Sequence, residues 1–310
     1  MSDIKLFRIS ETAAEQLDAT SATLEKHLQQ RIEQHMPTLL GVRFLASEFP
    51  TGPVHRGRID SLGLDENGCP VIIEYKRHSN ENVINQGLFY LDWLLDHMAD
   101  FELLVLKTLG QDAADSIQRD SPRLLCIAGD FTRYDIHAVQ QIERNVDLIR
   151  YRYYGDDLLL LDLIHARSVE PIPEVHGEDD SSGGNAGKVK VTYKTISETI
   201  AELSGDLSEL YQAVTGACQS LGEDVQVNTT KYYVAFKRLK NFACLEVHPS
   251  AKKVNLFLRL NPDDVDLHGG FTRDMRGIGH YGTGDLEITI TTTADLERAL
   301  PLIQASYEAS

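Results

Sequence analysis

Positive charge is in short supply in this sequence: 30 Lys and Arg stand against 47 Asp and Glu, a formal net charge of −17. That balance excludes a protein that holds nucleic acid or an anionic membrane by bulk charge, because phosphate contacts draw on clustered Lys and Arg. Cysteine is scarce as well. Cys69, Cys126, Cys218 and Cys244 are scattered, with no Cys-x-x-Cys pair, which excludes a zinc ribbon and a disulfide framework and leaves reduced, buried thiols. No apolar run approaches the ~18 residues of a spanning helix, and the amino terminus has no basic segment leading into an apolar one. A cytoplasmic protein is expected, without contact to a membrane.

What is present divides in two. Residues 1–176 hold 17 basic and 28 acidic residues, and residues 188–310 hold 13 and 16. Between them composition shifts to Pro171, Pro173 and a Gly, Ser and acidic run from Gly177 to Gly187, which cannot bury a core and reads as a linker over 171–188. The expected plan is one domain over 1–170 and a second over 189–310, each long enough for its own core.

The first domain is organised around residues 57–90. Asp65-Glu66-Asn67-Gly68 lies between two apolar runs and signals a hairpin, with Gly68 able to take positive φ. If Gly68 takes the left-handed position, Asp65 faces Cys69 and Asp60 falls opposite Glu74; a slip of one residue would part the two carboxylates. The period of two puts Glu74 and Lys76 on one face of the second strand and Val71, Ile73 and Tyr75 on the other. Two carboxylates side by side repel unless a cation sits between them, and hard oxygen ligands with room for water suit Mg²⁺ or Mn²⁺. A lysine two residues on suits metal-assisted phosphodiester hydrolysis. A bland alternative is a Glu and Lys on the solvated face of a hairpin.

The stretches Gly57-Arg58-Ile59-Asp60, the acidic turn with Gly68, Val71-Ile72-Ile73-Glu74-Tyr75-Lys76-Arg77 and Gln86 with Tyr90 together resemble the PD-(D/E)XK nuclease superfamily, most closely its NucS-type endonuclease domain. The resemblance covers about the first 165 residues. It implies a restriction-endonuclease-like α/β fold, a mixed sheet flanked by helices, and a Mg²⁺- or Mn²⁺-dependent DNA endonuclease of repair or of defence against foreign DNA. Asp60 and Glu74 would be the metal ligands, Lys76 the catalytic lysine and Gln86 a helix residue reaching into the site, with Tyr90 beside it. A helix before the core commonly adds a glutamate. Glu25 is the best match, and Glu33 and Glu48 stay open. The implied partner is DNA, and a homodimer is compatible with it.

Around this core the pattern predicts a strand near 4–8, a helix from Glu11 to about Met36 ended by Pro37, and helices over 80–98, 101–117 and 134–144. Strands are expected near 42–47, 123–129, 146–154 and 158–165. Arg150, Tyr151, Arg152, Tyr153 and Tyr154 mix cations with aromatics and read as an edge strand or as a base-stacking face. Gln86, Tyr90, Trp93 and His97 share one narrow stripe of their helix.

The second domain reads as a smaller α+β unit with an antiparallel sheet. It resembles an uncharacterised bacterial carboxy-terminal family, sometimes called a predicted transport protein, in Lys231 to Lys237, Asn241 to Pro249 and Arg276 to Glu287. With no spanning helix, transport is rejected. Arg56, Arg58 and Arg77 in the first domain and Lys237, Arg238, Lys240, Arg276 and His280 in the second are candidate nucleic-acid contacts, and the Gly-rich loop around Arg276 a candidate phosphate cradle. The alternative to an enzyme is a non-catalytic nucleic-acid-binding or protein-interaction module on a nuclease fold, which the acidic balance favours.

Overall fold

The computed structural model describes residues 4–77, 82–167 and 194–310, so the expected linker over 171–188 and His78 lie outside the described residues. Three short strands, β1 (Leu6–Ile9), β2 (Ala14–Leu17) and β3 (Ala19–Thr20), precede α1 (Glu25–Leu40). The helix does not start at Glu11, because the apolar repeat that lets a helix bury a face begins only with Leu28, Ile32 and Met36. Nor does Pro37 end it. The chain leaves helical geometry at His35 (φ −124°), resumes through Pro37 and closes at Gly41 in the left-handed region (φ 64°), a kink of the kind an interior proline makes.

There follow β4 (Val42–Pro50), α2 (Gly52–His55), β5 (Arg58–Asp65), β6 (Pro70–Lys76), α3 (Asn82–Asp96), α4 (Met98–Leu109), α5 (Gln111–Asp115), β7 (Arg123–Ala128), α6 (Arg133–Gln140), β8 (Asn145–Tyr154) and β9 (Leu158–Arg167). The single helix expected over 101–117 is broken at Gly110 into α4 and α5. The strands form a seven-stranded mixed sheet in the order β3-β8-β7-β6-β5-β4, with β9 also on β8. β6, β7 and β8 run parallel, whereas β4, β5 and β6 are antiparallel.

Both faces of this sheet are covered. Val71, Ile73 and Tyr75 of β6 pack with Leu28, Ile32 and Met36 of α1, and Ile72 packs on the opposite side with Val83, Leu91 and Leu94 of α3. Burial on two faces explains why β6 reads as a nearly continuous apolar run. β8 is no edge strand, since it pairs with β3, β7 and β9. Its Tyr151 and Tyr154 are buried and Arg150 is held by Asp162 at 2.5 Å, so this segment has no open stacking face.

The second domain contains α7 (Ile196–Ala201), α8 (Gly205–Gln219), β10 (Gln226–Thr229), β11 (Val234–Lys237), β12 (Asn241–His248), β13 (Lys253–Leu258), β14 (Thr272–Asp274), β15 (Leu286–Ile290) and α9 (Thr293–Glu308). Its antiparallel sheet runs β10-β11-β12-β13-β15-β14. Val214 and Cys218 of α8 and Leu296 and Ile303 of α9 close one face over Phe236, Phe242 and Ile288. No helix among the described residues is long and apolar enough to cross a membrane.

The two domains meet at the β5–β6 turn. Asn67 Oδ1 accepts from Asn241 Nδ2 at 2.7 Å and from Tyr233 Oη at 3.0 Å, and the Asn241 N–H donates to Glu66 Oε2 at 3.0 Å. Arg259 pairs with Glu66, and Lys240 Nζ donates to the Thr38 carbonyl near the end of α1 at 3.1 Å.

Beneath this joint Arg123 bridges two buried carboxylates, Asp65 at 2.7 Å and Asp147 at 2.6 Å. Removing one partner of such a buried set strands the others uncompensated. Arg123→Ala is therefore expected to lower the unfolding free energy by about 3–5 kcal/mol, read as a fall in the urea midpoint.

Candidate active site

The hairpin closes as its residues dictate. Gly68 takes φ 78°, Asp65 N donates to the Cys69 carbonyl at 2.9 Å, and Asp65 Oδ1 accepts from the N–H groups of Asn67 and Cys69 at 2.9 and 2.8 Å. The register that results, Ser61 on Ile73 and Leu62 on Ile72, brings Asp60 and Glu74 together.

Asp60 is half-buried and has no ladder partner in the registers of β5 with β4 or β6. Side chains fill its backbone bonds instead: its N–H donates to Glu74 Oε1 at 3.1 Å, and its carbonyl accepts from Gln29 Nε2 at 2.6 Å. Asp60 Oδ2 in turn accepts from the Tyr75 N–H at 3.0 Å. Glu74 is 0% exposed, and its Oε2 is buried without a hydrogen-bond partner among the described residues.

Burial pushes the Glu74 carboxyl up to about 9, with the charge of Asp60 adding to the rise. Burial raises Asp60 too, against the Tyr75 N–H and the nearby Lys76, which lower it. At neutral pH the pair keeps a proton that separate carboxylates would have lost. Lys76 lies near the same pair, its Nζ 3.5 Å from Glu25 Oε1 at the start of α1. The Arg77 N–H donates to Glu25 Oε2 at 3.1 Å, so Glu25 ties α1 to the end of β6.

The three glutamates weighed in the sequence separate in space. Glu25 meets Lys76, whereas Glu33 accepts from Ser61 Oγ at 2.6 Å, and Ser61 also contacts Tyr75 Oη, on the α1 side of the sheet. Glu48 pairs with Arg58 at 3.5 Å, adds to the rise at Asp60, and holds an unusual left-handed backbone (φ 50°) for a non-glycine residue. Gln29 escaped the sequence reading, though its spacing of four from Glu33 signals the bond at 3.0 Å that orients its amide.

Gln86 lies 3.5 Å from Tyr90 Oη, which accepts from the Arg58 N–H at 3.3 Å. Both residues therefore brace the strand entering the site rather than touch a carboxylate. The approach requires glycine at 57, where a Cβ would fall 2.5 Å from the Tyr90 ring. Trp93 and His97 stack at 4.8 Å beside a cavity of about 390 Å³ that Phe49 and Lys107 also line.

Arg56 and Arg58 are exposed, Arg56 donating to the Pro53 carbonyl at 3.0 Å and Arg58 standing two residues before Asp60, and Arg77 is anchored to the Ala22 carbonyl at 2.9 Å. The second-domain cations are placed elsewhere. Lys237 is 2% exposed, its ammonium pushed down to about 8 by burial and by Arg123, so no phosphate reaches it. Arg238 is held by Asp224 at 2.6 Å, Lys240 by Thr38, and Arg276 by Asp263 and Asp274 at 2.8 and 2.7 Å. The loop around Arg276 carries its own carboxylates, which corrects the phosphate-cradle expectation. His280 lies at the interdomain joint.

Among the described residues no group of three or more His, Cys, Asp and Glu side chains is arranged to hold a metal ion. Asp60 and Glu74 are the two carboxyl groups that could offer oxygens to a hard cation, which would need water or other oxygens as its remaining ligands, and Glu74 Oε2 has no hydrogen-bond partner among the described residues.

Residues 185–310 match a family described as a domain of unknown function, DUF5655. A protein of Haemophilus influenzae described as uncharacterized is 28% identical over 314 residues, covering 98% of this chain and 100% of that one. Among solved structures, a repair endonuclease from Pyrococcus abyssi aligns at 17% identity and a TM-score of 0.28, over 42% of this chain and 48% of that one. An EndoMS–dsDNA complex aligns at 18% identity and a TM-score of 0.24, over 44% and 47%. The chain thus spans just under half the length of each of those two structures.

The raised Glu74 carboxyl makes stability depend on pH. Between the ordinary value of 4.5 and about 9 the folded chain holds a proton that the unfolded chain has released, so stability falls as pH rises through this window, by up to about 1.4 kcal/mol per unit. Glu74→Gln is expected to remove that slope and to raise the melting temperature of metal-free protein at pH 8. Melting curves from pH 5 to 9 check it, and parallel profiles for wild type and variant would contradict it.

Proposed function

We propose that the amino-terminal domain is a Mg²⁺- or Mn²⁺-dependent DNA endonuclease with Asp60, Glu74 and Lys76 as its working residues. The observation that carries this reading is the buried Glu74 carboxylate, with one oxygen unpartnered, beside Asp60 and with Lys76 close by. A protein does not bury such a pair for stability, since each desolvated charge costs several kcal/mol unless compensated; a site that admits a cation gives the pair a use. Asp60 and Glu74 would hold the ion, whose chemistry when bound is to polarise a phosphodiester oxygen and make bound water a nucleophile. Lys76 orients the attacking water or meets the charge that builds on the phosphorus oxygens. Glu25 holds Lys76 in place through the 3.5 Å contact. Arg56 and Arg58, exposed on the approach to Asp60, contact the flanking phosphates. Repair of the cell's own DNA and defence against foreign DNA both use such a centre.

The second reading, a non-catalytic module on the same frame, is favoured by the net charge of −17. One assay separates the two. Purified protein is incubated with duplex, single-stranded, branched and mismatched DNA, with Mg²⁺, Mn²⁺ or EDTA. Cleavage that needs metal is expected, with a loss on the order of a hundredfold or more in Lys76→Ala and no activity in Asp60→Ala or Glu74→Gln. Cleavage that persists equally in all three variants would assign the activity to a contaminant and leave the binding module standing.

Arg58→Ala is expected to weaken DNA binding in Ca²⁺ and to flatten its salt dependence by about one counterion. Binding isotherms over a salt series check it.

A further inference from the structure

Asp60 sits where the sheet pairing lapses on both sides. Toward β4 the register runs from Ser47 on Ser61 to Phe49 on Ile59, and Glu48, which would stand opposite Asp60 between those pairs, takes φ 50° and drops out of it. Toward β6 the pairing begins only at Ser61 on Ile73. A non-glycine residue in the left-handed region is held there by its surroundings, and such residues collect at functional sites.

The Asp60 carbonyl is met from α1 instead. Gln29 is 5% exposed, and its Nε2 lies 2.6 Å from that carbonyl, 3.0 Å from Glu33 Oε1 and 3.1 Å from Ser47 Oγ. The carbonyl and the carboxylate only accept, so the amide must turn its nitrogen toward them. Glu33 is itself held. Ser61 Oγ donates to the same Oε1 at 2.6 Å, so the 3.2 Å contact between Ser61 Oγ and Tyr75 Oη has the tyrosine as donor. The bonds therefore run one way, from Tyr75 of β6 through Ser61 of β5 to Glu33, while Gln29 donates both to Glu33 and to Asp60. Tyr75 also supplies the N–H that Asp60 Oδ2 accepts at 3.0 Å.

These partners dictate the residue type at 29. A glutamate there would set a third acceptor against two others, and a methionine has the length but no hydrogen to give. Among uncharged side chains of this length, the amide alone donates to both groups at once.

We infer that Gln29 is a positioning residue of the candidate site: it fixes the Asp60 backbone, and with it the carboxylate beside Glu74, while Glu33 keeps the amide correctly turned. This role rests on the proposed metal site for the ion that the carboxylates would hold. The placement of Asp60 is measured without one.

Two measurements on the full chain test it: amide hydrogen exchange without metal, followed by mass spectrometry on peptides covering residues 58–62 and strand β7, and calorimetric titration with Mn²⁺ in the absence of DNA. Gln29→Met is expected to speed exchange over 58–62 about tenfold and to leave β7 unchanged. Its Mn²⁺ affinity is expected to fall about tenfold, the size of effect seen when a group that orients a metal ligand is lost. Glu33→Leu is expected to act in the same direction with roughly a threefold effect on each, and Glu33→Gln, which keeps an accepting oxygen, to match wild type. If Gln29→Met does not fold, the two Glu33 variants carry the comparison, and equal exchange in them over 58–62 overturns the role. So does wild-type exchange over 58–62 in Gln29→Met, or faster exchange that is equal in β7, which is the signature of an amide that only stabilises the fold. Unchanged Mn²⁺ affinity in Gln29→Met, where Glu74→Gln abolishes binding, overturns it as well. Wild type that takes up no Mn²⁺ at one saturable site, or Glu74→Gln that binds as wild type does, sinks the metal reading instead, and exchange alone then decides whether Gln29 places Asp60.

Discussion

The carboxylate of Asp65 sets the terms for the rest of the molecule. It closes the β5–β6 turn by accepting two backbone N–H groups with one oxygen, and it meets Arg123 of β7 with the other. A turn closed this way has one register, and register decides which face every side chain of two strands occupies. One residue of slip would carry Glu74 to the α1 face, into the company of Ile73 and Tyr75, and leave Asp60 behind. The buried charge that fixes the turn is thus the reason two other carboxyl groups meet.

The hairpin has two working ends. Asp60 and Glu74 stand at the open end. The turn, roughly 17 Å away at ~3.3 Å per strand residue, receives Asn241, Tyr233 and Arg259 of the second domain. Helix α1 spans the same gap, with Glu25 near Lys76 at its start and Thr38 under Lys240 roughly 20 Å on at ~1.5 Å per residue. This placement changes how an acidic chain meets DNA. The second-domain lysines and arginines named as candidates are consumed by the joint or by local carboxylates, which leaves the first domain's Lys76, Arg56 and an Arg58 paired with Glu48 as the cations on the hairpin side. A metal ion on the carboxylate pair would add positive charge where those arginines are few.

Much of this was legible in the sequence wherever pattern and turn chemistry agreed. The acidic turn with Gly68 and the alternation through Val71 to Lys76 carried the Asp60–Glu74 pairing in its actual register, and the mixed sheet flanked by helices was what the family resemblance implied. Failures came where tertiary context overrode local signals. Residues 11–20 have helix-tolerant composition but no apolar stripe to bury, so they pair as strands. Pro37 marks a kink instead of an end because Leu40 still packs under the sheet. Lys237 looked like a surface cation because its charge was visible and its burial beneath the domain joint was not. The same joint hid the role of Asn67 and Asn241, whose mutual hydrogen bonds cross 174 residues of chain. Gln29 was hidden for a different reason, since an amide bonded across a sheet leaves no periodic trace, and Glu48 was in view as a candidate glutamate while its left-handed backbone was not.

The missing rung at Asp60 has a mechanical meaning. Beyond it β5 pairs with both β4 and β6, and before it Arg58 and Ile59 pair with β4 alone, so a shift of the strand would break several ladder bonds at once. At Asp60 the backbone is held by two side chains, Glu74 and Gln29, in place of a neighbouring strand. The site is therefore compliant at one residue within a stiff frame. A movement of Asp60 toward whatever enters beside Glu74 would strain those two side-chain bonds before any rung of the sheet.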